Sequence, residues 1–226
     1  DNYKPLLFYF DWWIQHSAAR PYLKKFLAYY YNRAAEWGEG VVVTYKHEAI
    51  MFGCAVPDVE RGQFADAKPY FWQTDTAIAR NSWCHTENND YKSAGSILRD
   101  LVDIVSKNGN LLLNVGPMAD GTIPDLQVER LLGLGAWLDT NGAAIFGTRP
   151  WVVAESQSAD GIGVRFTRHG DTLYAILLDT PQAQEIVVAG LRLAEGAAVH
   201  LLGNDAALAW RQVDGGLAVT LPGNPP

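Results

Sequence analysis

The sequence predicts an α/β domain followed by an all-β antiparallel sandwich. Up to about residue 141, segments with the apolar pattern of strands alternate with segments of helical periodicity, an order typical of an α/β layer. Two of the predicted strands end in ionisable residues, and in α/β barrels such strand ends are where chemistry is placed. From about Trp151 onward, short β runs separated by Gly, Asn and Asp turns indicate a small antiparallel domain.

The first predicted strand, residues 6–13, is aromatic and carries one carboxylate. Its sequence LLFYFDWW follows Pro5 and predicts a buried strand with Asp11 among aromatic rings. An ionised Asp is costly to bury unless it is paired or has a task, so Asp11 is a candidate functional group. The alternative is a strand-end Asp that caps the following turn, which is the commoner role.

A helix, a second strand and a long loop follow. Residues 21–37 have apolar side chains at helical spacing, which predicts an amphipathic helix. Residues 41–45 are a β-branched run that leads into Lys46 and His47, so this strand ends in ionisable groups. Residues 48–70 predict a loop, and a loop of that length inside a compact domain is uncommon unless it serves a site.

The remaining elements follow from caps, periodicity and turn residues. The α/β part continues with a strand at 70–78, a helix that Ser93 caps, a strand at 111–115 and a helix that begins at Pro124. The β runs of the second domain lie at residues 163–167, 173–178, 185–188, 198–202 and 217–221. The second domain has no cluster of titratable residues at a plausible site, so we expect it to have a structural or accessory role.

Composition excludes several classes of function. The chain has 226 residues, a formal net charge of -7 and a pI near 5.2, which argues against nucleic acid or an anionic membrane as a partner. The five histidines and two cysteines form no ligand-spaced group, so we expect neither a metal site nor another cofactor. The 8 Trp, 10 Tyr and 8 Phe suit sugar binding, although aromatic-rich cores are the commoner cause.

Carboxylates offer the clearest route to chemistry. Hydrolysis of a glycosidic bond needs two carboxyl groups around the scissile oxygen, about 5 to 5.5 Å apart when configuration is retained. One must be ionised to attack and the other protonated to assist departure. Asp11 and a carboxylate from a later loop meet this need. The candidates for the second group are Asp58, Glu60, Glu87 and Asp90, and spacing alone does not choose among them.

The most specific motif starts at residue 110. Residues 110–124 read NLLLNVGPMADGTIP, and Gln127, ERLL at 129–132 and GAWL at 135–138 follow. This run strongly resembles family 29 glycoside hydrolases, the retaining α-L-fucosidases, and the resemblance covers residues 5–151. The β domain is similar to the C-terminal sandwich of that family, with weaker motifs.

The resemblance implies a fold. It implies that residues 1–148 form the C-terminal half of a TIM-like (β/α) barrel and that residues 149–226 form the β-sandwich. The family barrel has eight strands, whereas about four strand positions occur here, so the chain resembles an N-terminally truncated member. Because a half-barrel has open sheet edges and an exposed apolar face, we expect a homo-oligomer.

The resemblance also implies roles for particular residues. Asp11 corresponds to the nucleophile of the family. Glu60 fits the general acid/base best, because it lies 49 residues after Asp11 and 12 before Trp72, and Glu87 is the alternative. The positions that correspond to sugar-binding residues are Tyr9, Lys46, His47 and Trp83.

These roles together imply a retaining exo-α-L-fucosidase. Its substrates would be fucosylated oligosaccharides or glycoconjugates, and its activity would depend on association where a partner supplies the missing half-barrel. The alternative is an inactive truncated homologue that oligomerises or binds carbohydrate without turnover.

Overall fold

A five-stranded parallel sheet forms the first part of the molecule. The computed structural model describes residues 2–223. The strands are β1 (Leu7–Phe10), β2 (Val42–Lys46), β3 (Val56–Asp58), β4 (Trp72–Ala77) and β5 (Gly109–Asn114). They lie in the sheet in chain order, and each neighbouring pair is parallel. Since all five strands run in the same direction, their C-terminal ends meet at one edge of the sheet.

Three helices accompany the sheet. They are α1 (Arg20–Trp37), α2 (Ala94–Ser106) and α3 (Asp125–Asn141). The rings of Phe8 and Phe10 on β1 pack against Phe26 of α1, with centroids 4.9 and 5.2 Å apart. Because side chains alternate along a strand, Tyr9 points to the opposite, concave face. This curved parallel sheet with helices confirms the predicted partial barrel.

The helix predictions are confirmed closely. Helix α1 begins one residue before Pro21 and ends at Trp37, and α3 begins directly after Pro124. Helix α2 begins after Ser93, whose hydroxyl accepts a hydrogen bond from the Ser96 amide at 3.1 Å. No helix among residues 2–223 is long and apolar enough to cross a membrane.

Strand β3 was not predicted. The expectation of an uninterrupted loop over residues 48–70 is wrong, because residues 56–58 pair with β2 on one side and with β4 on the other. The strand is only three residues long and contains Pro57, which usually argues against a central strand. The sheet consequently has five strands where the sequence indicated about four.

The first strand is shorter and less buried than expected. It ends at Phe10, and a 3₁₀ helix occupies Trp12–Gln15. The expected strand over residues 6–13 is therefore wrong in its last part, and Trp12 and Trp13 are 55% and 62% exposed. Asp11 caps this 3₁₀ helix, because its Oδ1 accepts a hydrogen bond from the Trp12 amide at 2.7 Å.

Two three-stranded antiparallel sheets form the C-terminal domain. Their strands are β6 (Arg149–Gln157), β7 (Gly163–His169), β8 (Thr172–Leu177), β9 (Glu185–Ala189), β10 (Trp210–Val213) and β11 (Gly216–Thr220). The sheet orders are β6-β7-β8 and β10-β11-β9. Phe166, Val188 and Leu217 meet in the core between the sheets. This agrees with the predicted all-β domain.

Three details of that domain differ from the prediction. Residues 198–202 form no strand, and only an isolated bridge joins His200 to Ala207. Strand β6 was missed because Pro150 and a register shift between Pro150 and Glu155 interrupt its alternating pattern. Strand β10 was also missed. Strand β6 begins at Arg149, next to the domain boundary predicted after residue 148, which stays a prediction.

A partly buried ion-pair network joins the two domains. Arg165 Nε lies 2.6 Å from Asp103 Oδ1, and Lys107 Nζ lies 2.9 Å from the same oxygen. Glu155 Oε2 lies 3.2 Å from Arg165 Nη2 and 3.6 Å from Lys107 Nζ. Asp103 and Lys107 come from α2 and the loop after it, and the other two residues come from β6 and β7. The sequence did not indicate this network, because each domain supplies only half of it.

Candidate active site

Charged side chains gather on the concave face, at the C-terminal ends of the strands. The pairing registers bring Lys46 beside Asp58 and Asp58 beside Gln73. Residues two apart on a strand share a face, so Glu60 follows Asp58 and Asp75 follows Gln73 on the same side. Backbone pairing continues beyond β3, because the Val59 amide donates to the Gln73 carbonyl at 2.9 Å.

Lys46 is the centre of this cluster. Its Nζ donates to Asp75 Oδ1 at 2.7 Å, and it lies 3.0 Å from Asp58 Oδ1 and 3.3 Å from Glu60 Oε2. Burial alone lowers the pKa of Lys46, but the hydrogen bond to Asp75 and the ionic contact with Asp58 outweigh it and raise the pKa above its ordinary value. Lys46 therefore stays protonated and is surrounded by three carboxylates.

Asp58 is the most buried of these carboxylates. Its side chain is fully shielded from solvent, and Gln73 Nε2 donates a hydrogen bond to its Oδ2. The other oxygen faces Lys46 as an ionic contact, without the alignment of a hydrogen bond. Burial raises the pKa of Asp58 to about 6, although the hydrogen bond from Gln73 and the ionic contact with Lys46 act in the opposite direction and Asp75 adds to the rise.

Strand β1 borders the cluster through Tyr9. The Tyr9 hydroxyl donates to Asp75 Oδ2 at 3.2 Å. Its pKa is raised, first by burial and then by the negative charge of Asp75. Asp11 lies two residues beyond Tyr9, half-buried at the end of β1, and its cap to Trp12 engages only one carboxylate oxygen. The predicted nucleophile thus stands at the same strand-end edge as the Lys46 cluster.

The structure separates the two candidates for the acid/base. Glu60 contacts Lys46, and 47% of its side chain is exposed, so it reaches both the buried cluster and solvent. Glu87 is exposed in the loop between β4 and α2, and it is not among the carboxylates that surround Lys46. Glu60 therefore belongs to the cluster around Lys46, whereas Glu87 does not.

Two further predicted site residues lie in the connections after strands. His47 is exposed in the turn after β2, where its φ of 55° is unusual for a residue with a side chain. Trp83 is half-buried in the loop after β4, and its carbonyl accepts a hydrogen bond from Asn114 Nδ2 at 2.8 Å. The Arg61 guanidinium carbon lies 4.1 Å from the centre of the Trp83 ring.

Sequence reasoning missed the role of Asp75. It appeared only as part of a predicted strand, whereas the structure shows that it joins Tyr9 to Lys46. The only signal in the sequence was the alternation of Gln73 with Asp75, which puts two polar side chains on one face of a strand. Without the neighbouring strands, nothing indicated that this face was the one opposite the helices.

Among residues 2–223, neither a metal centre nor the cavity beside α1 is an alternative to this cluster as the candidate active site. Among residues 2–223, no group of three His, Cys, Asp or Glu could hold a metal ion. A cavity of about 970 Å³ lies beside α1 and the loop after β2, with Leu23, Ile50 and Tyr70 in its wall. Its lining is mostly apolar and includes one carboxylate, Glu48, so it lacks the acid pair that glycoside hydrolysis needs.

Comparison with known proteins shows matches along both domains. The family model for α-L-fucosidase matches residues 1–143, and the model for the α-L-fucosidase C-terminal domain matches residues 160–226. An α-L-fucosidase of Branchiostoma floridae is 31% identical over 210 residues, which cover 87% of this chain and 45% of that protein. The tissue α-L-fucosidase of Homo sapiens is 33% identical over 159 residues, which cover 69% of this chain and 34% of that protein.

Solved structures match over nearly the whole chain. The α-fucosidase of Thermotoga maritima in complex with fucose has a TM-score of 0.83 and 35% identity, and the match covers 98% of this chain and 49% of that one. An α-L-fucosidase isoenzyme from Paenibacillus thiaminolyticus has a TM-score of 0.66 and 29% identity, over 80% of this chain and 46% of that one. The chain thus spans about a third to a half of the length of the relatives that it matches.

Proposed function

This chain belongs to the α-L-fucosidase family, and from that premise we propose that its strand-end cluster hydrolyses terminal α-L-fucosides with retention of configuration. The observation that carries the proposal is the contact of Glu60 with Lys46, which holds a solvent-reaching carboxylate at the edge of the sheet where Asp11 follows β1. This reaction requires at least two carboxyl groups at one site. The proposed substrates are fucosylated oligosaccharides and glycoconjugates.

In the first step, Asp11 attacks the anomeric carbon. A bond forms between a carboxylate oxygen and that carbon while the bond to the leaving oxygen breaks, and Glu60 gives its proton to the leaving oxygen. In the second step, Glu60 takes a proton from water, and the water oxygen displaces Asp11 from the sugar. Glu60 must therefore be able to hold and release a proton at the mouth of the site, which suits its partial exposure.

Lys46 is proposed to orient Glu60. Its side chain is 2% exposed and its ammonium is shared among three carboxylates, so it acts on Glu60 as a fixed positive charge. A direct contact between Lys46 and the sugar requires the ammonium to release one of those carboxylates. We also propose that the sugar contacts Tyr9, His47 and Trp83. Among these three side chains, Trp83 has the broadest apolar surface.

We propose that activity requires a second polypeptide that covers the concave face of the sheet. Leu7, Val42 and Leu112 are 51%, 40% and 45% exposed, and their pairing registers put them on the face that bears Tyr9 and Asp75. Strands β1 and β5 are the two edges of the sheet. An exposed apolar face between open edges favours association, and we propose a homo-oligomer. The same surface favours the alternative function, an inactive homologue that oligomerises or binds carbohydrate without turnover.

The chemical test uses an aryl α-L-fucoside and azide. Asp11→Ala should abolish release of the phenol, and azide should restore it with a β-fucosyl azide product, because azide then attacks in place of the missing carboxylate. Glu60→Ala should lower the rate with a poor leaving group by about 10² to 10⁴-fold, and azide should give the α-fucosyl azide. Glu87→Ala is the matched control and should retain activity. Full activity in the Asp11 variant would overturn the assignment.

Association is tested by analytical ultracentrifugation. The chain should sediment as a dimer or larger, and Leu112→Glu should release the monomer because it puts a charge on the concave face. Leu132→Glu changes an exposed leucine of α3 and should leave the assembly intact. A monomer that hydrolyses the fucoside would refute the need for association, and an oligomer without hydrolysis would favour the alternative function.

A further inference from the structure

Arg61 connects the segment that carries Glu60 to the loop after β4. Its amide donates to the Asp75 carbonyl at 2.8 Å, so the backbone is still paired with β4 at the residue after Glu60. Its φ of 49° then turns the chain away from the sheet. Residues with side chains rarely adopt such a φ, so the contacts around Arg61 must hold it there.

The guanidinium group of Arg61 holds the loop after β4 through three carbonyls. Nη1 donates to the carbonyls of Ala79 and Arg80 at 3.1 and 3.2 Å, and Nη2 donates to the Ser82 carbonyl at 3.1 Å. A guanidinium presents its donors in a fixed planar fork, which suits several acceptors in one loop. The loop that leads to Trp83 is therefore held by a residue adjacent to Glu60.

The same guanidinium also packs on the Trp83 ring. Its carbon lies 4.1 Å from the ring centre, a distance typical of a cation–π contact. The Trp83 carbonyl is held separately by Asn114 of β5. Asn114 of β5 thus holds the backbone of Trp83, and Arg61, the residue after Glu60, sets the orientation of its ring. Arg61 covers one side of the ring, so only the opposite side can pack on a ligand.

We infer that Arg61 is a positioning residue that sets the Trp83 ring relative to Glu60 and so determines how tightly the sugar is held. The inference rests on the proposed function, because it assigns the sugar to the uncovered side of Trp83. A lysine at this position keeps the charge but has neither the planar fork nor the flat surface that packs on the ring. The inference therefore requires arginine and not merely a cation.

The test compares Arg61→Ala and Arg61→Lys with Arg80→Ala in the full chain. Arg80 is a matched control, since it lies in the same loop and its side chain makes only an exposed ion pair with Asp90 at 3.6 Å. Both Arg61 variants should raise KM for an aryl α-L-fucoside about two- to five-fold, the worth of an exposed cation–π contact, and should change kcat less. Hydrogen exchange at the amides of residues 79–84 should be faster in both variants and unchanged in Arg80→Ala.

Each outcome has a defined meaning. Unchanged KM and unchanged exchange in Arg61→Ala would overturn the inference, and so would a lysine variant that restores both. If the unaltered chain hydrolyses no fucoside, the proposed function fails, but hydrogen exchange still decides whether Arg61 holds the loop. Unchanged exchange in that case also overturns the inference, whereas faster exchange supports the positioning role of Arg61.

Discussion

Replacing Asp58 by asparagine should change how the stability of this chain depends on pH. Asparagine has nearly the same shape, and its carbonyl oxygen can still accept the hydrogen bond from Gln73. It removes a charge that is fully shielded from solvent and whose neighbours are Lys46, Glu60 and Asp75. The Asp58→Asn variant therefore represents the protonated form of Asp58 at every pH.

The size and sign of the effect follow from the raised pKa. The pKa of Asp58 is about 6 in the folded chain, compared with 3.8 for an ordinary Asp. Between those two values the unfolded chain loses this proton while the folded chain keeps it, so the free energy of unfolding falls as the pH rises. At about 1.4 kcal/mol per pH unit, the interval amounts to at most about 3 kcal/mol. The fall is complete above pH 6 and absent below about pH 4.

Urea denaturation at intervals from pH 4 to pH 7 measures this effect. The free energy of unfolding of Asp58→Asn, minus that of the unaltered chain, should rise across this range by up to about 3 kcal/mol. Lys46 and the other carboxylates are present in both proteins, so their titration largely cancels in the difference. Asp171→Asn changes an exposed turn residue and should give a flat difference. A flat or falling difference for Asp58→Asn would contradict a raised pKa of Asp58 in the folded chain.

Two further changes test packing and the domain interface by the same urea measurement. Gly109→Ala should destabilise the chain by about 1 to 3 kcal/mol, because the new Cβ would lie 2.5 Å from the Trp72 ring. Gly135→Ala is the control: its Cβ would lie in open space on α3, so the change should stabilise the chain by about 0.5 to 1 kcal/mol. If Gly109→Ala were the more stable of the two variants, the predicted clash with Trp72 would be contradicted. Arg165→Ala should cost about 1.5 to 3 kcal/mol, because Asp103 loses a charged hydrogen-bond partner but keeps Lys107. Arg211→Ala removes an exposed pair and should cost about 1 kcal/mol or less. Equal losses for the two arginines would show that Arg165 contributes no more to stability than an exposed ion pair does.

Local patterns determined much of what was predicted correctly. The helices were found because their apolar spacing, the Ser93 cap and Pro124 act within a few residues of the chain. The run from residue 110 indicated the family, which the family models then matched. Asp11 was singled out as a carboxylate in an aromatic strand, and it lies directly after the last residue of β1, where it caps a 3₁₀ helix.

What the sequence could not determine depends on neighbours that are distant along the chain. Strand β3 exists because β2 and β4 lie on either side of it, and three residues with a central proline have too little pattern to predict it.

The Lys46 cluster could not be predicted for the same reason, because its members are distant along the chain. Lys46 and Asp75 are 29 residues apart in sequence and 2.7 Å apart in space, and only the register of the sheet brings them together. The sequence thus determined which residues carry charge and which segments form helices and most of the strands. The tertiary structure decided which charges meet, because burial and pairing across strands set both their partners and the raised pKa of Asp58.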